Sequence, residues 1–182
     1  MRLFKNRKFA VSISVVIVVL ATLLGVRGSL NRLARDVEVV FYHGDDDSPA
    51  QLGIETHLAN RLNSALVVMS LMGRYQEVAD EVEALTLARR LLFDSNNISD
   101  KYSANESMQS AFAALVEKAG MLELSAQEVA AISQHTSDFM GAQTAILNSR
   151  YNQKVQSFMD DSSFFVRLLS PFLFVTSPQP FS

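Results

Sequence analysis

The sequence predicts an all-α protein: an elongated, antiparallel, up-down four-helix bundle following a single N-terminal transmembrane helix. Three observations carry this expectation. Phe9 to Val26 (FAVSISVVIVVLATLLGV) holds eighteen residues and no charge. As a helix such a run reaches about 27 Å, close to the ~30 Å hydrocarbon core of a bilayer. Beyond it, apolar residues recur at helical spacing, with no strand-like alternation between turn signals. The connections between these stretches are short, which makes neighbouring helices antiparallel. The expected divisions are a basic cytoplasmic N-terminus (1–8), the transmembrane helix (9–26), the bundle (27–160) and an apolar, proline-containing tail (161–182).

The first helix is expected from Phe9 to Tyr42. Arg2, Lys5, Arg7 and Lys8 precede the apolar run, so the positive-inside rule places the N-terminus in the cytoplasm and the body outside. A cleaved signal peptide is the alternative, with Val26-Arg27-Gly28 before Ser29 as the cut. Against it, the run exceeds the usual signal-peptide core of about 7–15 residues. The pattern also continues through the cut: Leu30, Leu33, Ala34, Val37, Val40 and Phe41 share one helix face. His43-Gly44-Asp45-Asp46-Asp47-Ser48-Pro49 ends the helix. The three aspartates read as a solvated turn, because the spaced acids and closing Glu of a calcium loop are missing.

A second helix is expected from about Ala50 to Phe93, with Leu58, Leu62, Ala65, Leu66, Met69 and Met72, then Tyr75, Val78, Val82, Leu85, Ala88 and Leu92 on its apolar face. Gly73 marks a flex, or else a break into two helices. The third, about Asp100 to Gly120, buries Met108, Ala111, Phe112, Leu115 and Ala119. The fourth opens on a capping box, Ser125-Ala126-Gln127-Glu128. It continues through Val129, Ile132, Phe139, Gln143, Ile146 and Leu147 to Tyr151, Val155 and Phe158. The tail pieces Phe164–Leu169 and Phe172–Val175 are too short to span a bilayer. They fold back on the bundle or form an exposed patch.

Residues 1–35 carry seven bases and no acid, leaving nine bases against nineteen acids, a net of −10, in the rest. An acidic body repels phosphate backbones, which argues against nucleic acid as a partner. No cysteine is present, which removes disulfides and thiolate chemistry. His43, His57 and His135 lie in separate regions, without the Glu-x-x-His pairs of a carboxylate metal bundle. Phosphate loops, nucleophile elbows and His-Glu-x-x-His are missing. No enzyme, metal or cofactor is therefore expected. The acidic run Glu77, Asp80, Glu81 and Glu83 reads as a solvated helix face or as a docking surface for a basic partner.

Within the fourth helix, Tyr151-Asn152-x-x-Val155-x-x-Phe158, followed by Ser170-Pro171, resembles the signature of the LemA family. Ala88-Arg89 resembles an Ala-Arg pair of the family's second helix, and the basic start, single anchor, four helices and aromatic tail follow the same order. Met159 stands where the family usually has Asn. Of the family's second-helix pattern only Arg61, Leu62 and Leu66 persist, so the chain resembles a divergent member. The resemblance implies a helical bundle on one membrane anchor and no defined activity. Read from its residues alone, the motif puts Tyr151, Val155 and Phe158 on one face. It leaves Asn152 either bonding across the bundle or to a turn in the tail, or facing water.

The expected function is a single-pass, non-enzymatic interaction or scaffold protein of a bacterial cell envelope. Residues 9–26 hold the bilayer, and the acidic face or tail meets an unidentified protein. The alternative is an extracytoplasmic sensory or ligand-binding bundle acting through a partner.

Overall fold

An unbroken helix, α1 (Arg7–His43), begins the structure, a computed structural model that describes residues 7–45, 51–160, 178, 180 and 181 (backbone only for 7–10). The described residues are helical or irregular, with no strand among them. After α1 come α2 (Ile54–Met72), a 3-10 turn (Gln76–Val78), α3 (Ala79–Asp94), α4 (Ile98–Ala119), α5 (Ala126–Leu147) and a segment, α6, covering 150–160. The expected tail pieces, Pro171 and most of the aspartate turn lie outside the described residues.

The chain divides into two compact units, residues 1–38 with 154–178, and 39–153 with 179–182. In the first, Val11 and the Val15–Leu20 run are more than half exposed, and Leu24 is 68 % exposed. Further along, Leu30 and Val37 are buried, as are Val155 and Phe158. Leu33, expected on the same face as Leu30, is instead 46 % exposed.

In the second unit α2 packs along α5 and α3 along α4, with α2 also touching α3. Single contacts fix which turns meet. Arg89 Nε donates to the Leu62 carbonyl at 3.0 Å, and Lys118 Nζ meets Glu81 at 2.6 Å. Arg74 meets Glu128 at 2.6 Å, and Lys101 meets Glu55 at 2.9 Å. The rings of Phe112 (α4) and Phe139 (α5) stack with centroids 3.9 Å apart.

The second expected helix is two helices, the alternative that Gly73 left open, and the fourth is interrupted. After Met72 the chain caps on Gly73, Tyr75 becomes extended (φ −100°, ψ 116°), and the 3-10 turn leads into α3. The Tyr75 hydroxyl donates to Glu128 Oε1 at 2.8 Å, a tertiary bond the apolar pattern could not announce. The fourth expected helix stops at Leu147, and helix resumes at 150, where Ser149 Oγ accepts from the Tyr151 amide at 3.2 Å. The capping box at the start of α5 is formed in both directions.

The α1–α2 connection is tightly built. Gly44 has φ +91°, and a Cβ there would sit 2.1 Å from the Gln51 carbonyl oxygen. A Cβ on Gly53 would lie 2.5 Å from that of Tyr42. Only glycine tolerates such conformation and approach.

Candidate functional site

Three polar constellations stand out in the second unit. The first centres on Asn152. Its Oδ1 accepts from the Phe181 amide at 2.7 Å and its Nδ2 donates to the Phe181 carbonyl at 3.1 Å. One side-chain amide thus grips both backbone groups of a single residue, as a neighbouring strand would. The Phe181 ring is buried against Phe41 at 5.5 Å and Tyr102 at 5.4 Å, and Tyr151 meets Phe41 edge-on at 5.3 Å. Arg150 completes the cluster by holding Asp45 at 3.1 Å. Asp45, read from sequence as part of a solvated turn, is 5 % exposed. Consecutive residues Arg150, Tyr151 and Asn152 therefore secure the α1–α2 connection, the aromatic core and the C-terminal segment. Val155 and Phe158 of the same motif are buried in the other unit.

The second constellation, around Arg61, was not anticipated as a site. Arg61 is completely buried in α2. Its Nη1 donates to Asn105 Oδ1 and to Gln143 Oε1, and its Nη2 donates to Gln109 Oε1. The guanidinium lies over the Phe139 ring, 4.0 Å from its centroid, a cation–π arrangement. Among the described residues Nε has no hydrogen-bond partner. Burial pushes the guanidinium down to about 10, opposed by the charge of Glu106, so it stays charged at neutral pH and cannot act as a base. The sequence did carry a signal: Ile54, Leu58, Arg61, Ala65, Val68 and Met72 are buried at alternating four- and three-residue steps, with arginine inside the stripe. The expected stripe members Leu62 and Leu66 lie off it, Leu66 being 45 % exposed.

At the far end of α2, Glu128 accepts from the Ser125 hydroxyl and amide, from Tyr75 and from Arg74. These bonds, Ser125's first, hold its carboxyl down to about 2, while the same carboxylate raises the Tyr75 hydroxyl. This is a structural staple between helix ends, not an acid poised near neutrality.

The third constellation is the acidic run on α3 and the turn before it. Glu77, Asp80 and Glu83 are exposed, but Glu81 is half-buried and its carboxyl is lowered by the hydrogen bond from Lys118. The four acids therefore do not form one patch: Glu81 faces α4, and the others remain at the surface. Next to them Leu87 and Leu91 are 57 % and 61 % exposed.

His57 and His135 line a groove of about 630 Å³ between α2 and α5, together with Ser64, Asp138 and Gly141. His135 faces Asp138 at 3.8 Å, and burial lowers His57. Among the described residues no group of three His, Asp or Glu side chains could hold a metal ion. One helix, near the N-terminus, is long and apolar enough to cross a membrane among the described residues. No protein-family model, curated protein or solved structure matches the chain.

Proposed function

We propose that this protein is a single-pass, membrane-anchored bundle of LemA type that presents a surface to a protein partner outside the cytoplasm, without catalysis. The observation that carries the reading is the bareness of α1: none of its most apolar 18-residue window is buried. A helix apolar all round and uncovered by protein needs another apolar medium, and a bilayer supplies it. The basic N-terminal residues favour the cytoplasmic side for the start, and the acidic remainder suits a body held in water.

Within the second unit the reading takes α2–α5 as an antiparallel, up-down four-helix bundle. Supporting it, Leu62–Arg89, Glu81–Lys118, Phe112–Phe139 and Arg74–Glu128 each join turns that antiparallel neighbours bring together. The four helices then differ from those expected, because α1 is not among them and the long second helix supplies two. The LemA likeness rests on the sequence motif from Tyr151 to Phe158. Within that motif the Asn152 side chain holds both backbone groups of Phe181.

A second reading, a sensory bundle acting through a partner, draws on one observation: α1 continues without interruption from the apolar run to Phe41 in the aromatic cluster. A saturable small-molecule stabilisation of the full chain would favour it.

Alkaline carbonate extraction of cells expressing the full chain tests the main proposal. The chain should remain in the membrane pellet and leave it only with detergent. Full-length protein in the carbonate supernatant would overturn the proposal.

A further inference from the structure

We propose that the outer face of α3, from Asp80 and Glu83 through Leu87 and Leu91 to Asp94 and Asp100, docks a basic amphipathic helix of a protein partner. The inference rests on the membrane-anchored interaction reading and supplies the surface and the partner chemistry that reading lacks.

The face follows from helical geometry. Asp80, Ala84, Leu87 and Leu91 fall at i, i+4, i+7 and i+11, and Glu83 stands four residues before Leu87. The buried side of α3 is elsewhere, at Leu85, Ala88 and Leu92. Leu87 and Leu91 are thus adjacent on the surface, 57 % and 61 % exposed. Beyond Leu91 the face opens into a groove of about 500 Å³ between the end of α3 and the start of α4, which Leu91, Asp94 and Asp100 help to line. From Asp80 to Asp94 the helix runs about 21 Å, the footprint of a partner helix of about fourteen residues.

Charge decides the occupant. Acids stand at both ends of the apolar strip. Lys118 is paired with Glu81, and Arg90 with Asp94 at 3.5 Å, so beyond Leu91 the acid left for a partner is Asp100 rather than Asp94. Asp80 and Glu83 have no ion pair among the described residues. A second copy of this face would set like charges against each other, and an anionic leaflet would be repelled in the same way. A helix with a leucine-type stripe flanked by lysine or arginine satisfies both the apolar centre and the acidic ends.

The test uses the full chain in lipid nanodiscs and a synthetic peptide of about fourteen residues, with lysines at both ends and leucines at i, i+3, i+4 and i+7. Saturable binding is expected. It should weaken about tenfold or more in the Leu87→Asn/Leu91→Asn variant and several-fold in Asp80→Asn/Glu83→Gln. The second variant should also lose most of the salt dependence. All four positions are exposed, and an unchanged thermal melt verifies each variant's fold. Equal binding by wild type and both variants would overturn the inference, as would equal binding of a peptide with glutamate replacing lysine. A wild-type dimer that Leu87→Asn/Leu91→Asn turns monomeric would make a second copy the occupant, and quenching of a probe at position 91 by lipid would make it the membrane; either overturns the inference. The membrane reading survives those failures if the chain still resists carbonate extraction, and fails separately if it does not.

Discussion

Helices α1 and α2 are both rich in aliphatic residues, yet they dispose of them in opposite ways. In α2 the buried residues form a stripe at three- and four-residue steps, with Glu55, Asn60 and Asn63 off it. In α1 the Val15–Leu20 run is apolar on every side, and each of its members is 51–64 % exposed. A stripe asks for a neighbouring helix, whereas a uniformly apolar cylinder asks for a solvent. The two helices differ in polarity as well. Where α2 admits a charge, at Arg61, three amides and an aromatic face surround it. The Val15–Leu20 run of α1 admits none.

The largest effect should come from breaking the uniformity of α1. Each arginine near the bilayer centre costs about 2.5–3.5 kcal/mol of insertion free energy. Ile17→Arg combined with Leu20→Arg should therefore move most of the chain out of the carbonate-resistant membrane fraction, read by immunoblot. Retention equal to wild type would mean that α1 is not in lipid.

The next effect tests the charge buried in α2. Arg61→Ala should destabilise the fold by about 3–5 kcal/mol, since it opens a cavity and strands the amides of Asn105, Gln109 and Gln143. Arg61→Met keeps the volume and should lose less. Urea unfolding followed by circular dichroism measures both. Equal, small losses would show that the network contributes little.

Asn152→Ala removes two hydrogen bonds to Phe181, an expected loss of about 1–3 kcal/mol. Hydrogen exchange at the Phe181 amide should accelerate. Asn152→Asp should behave similarly, because a carboxylate cannot donate to the Phe181 carbonyl.

The smallest effect concerns Glu128, whose carboxyl lies at about 2 in the fold against an ordinary 4.5. A depressed carboxyl contributes stability that is complete above its unfolded value and is lost as pH falls through the folded one. Between pH 4.5 and about 2 the wild type should therefore lose stability faster than Glu128→Gln. Parallel melting curves across that window would remove Glu128 from the acid response.

The features legible in the sequence were those with local causes. α1 follows from its run of apolar residues, and the start of α5 from the Ser125–Glu128 capping box. The unread features depend on distant partners. Gly73 leaves a flex or a break open, and the apolar phase kept by Tyr75 and Val78 favours the flex; what decides for the break is the extended Tyr75, tied to Glu128, 53 residues on. Arg61 meets amides 44, 48 and 82 residues away. Glu81 looks like its exposed neighbours until Lys118, 37 residues later, folds against it. Asn152 lies between these cases: its poor helix propensity pointed to a partner, but only the fold identifies Phe181.

The lack of cysteine offers the most direct measurement, since a single introduced thiol can be labelled without background. Intact cells carrying either Ser137→Cys, on the exposed side of α5, or Asn6→Cys, before the apolar run, are treated with a membrane-impermeant maleimide. Labelling is expected at position 137 in intact cells, and at position 6 only after permeabilisation. The reverse pattern, or equal labelling of both in a soluble extract, would contradict that placement.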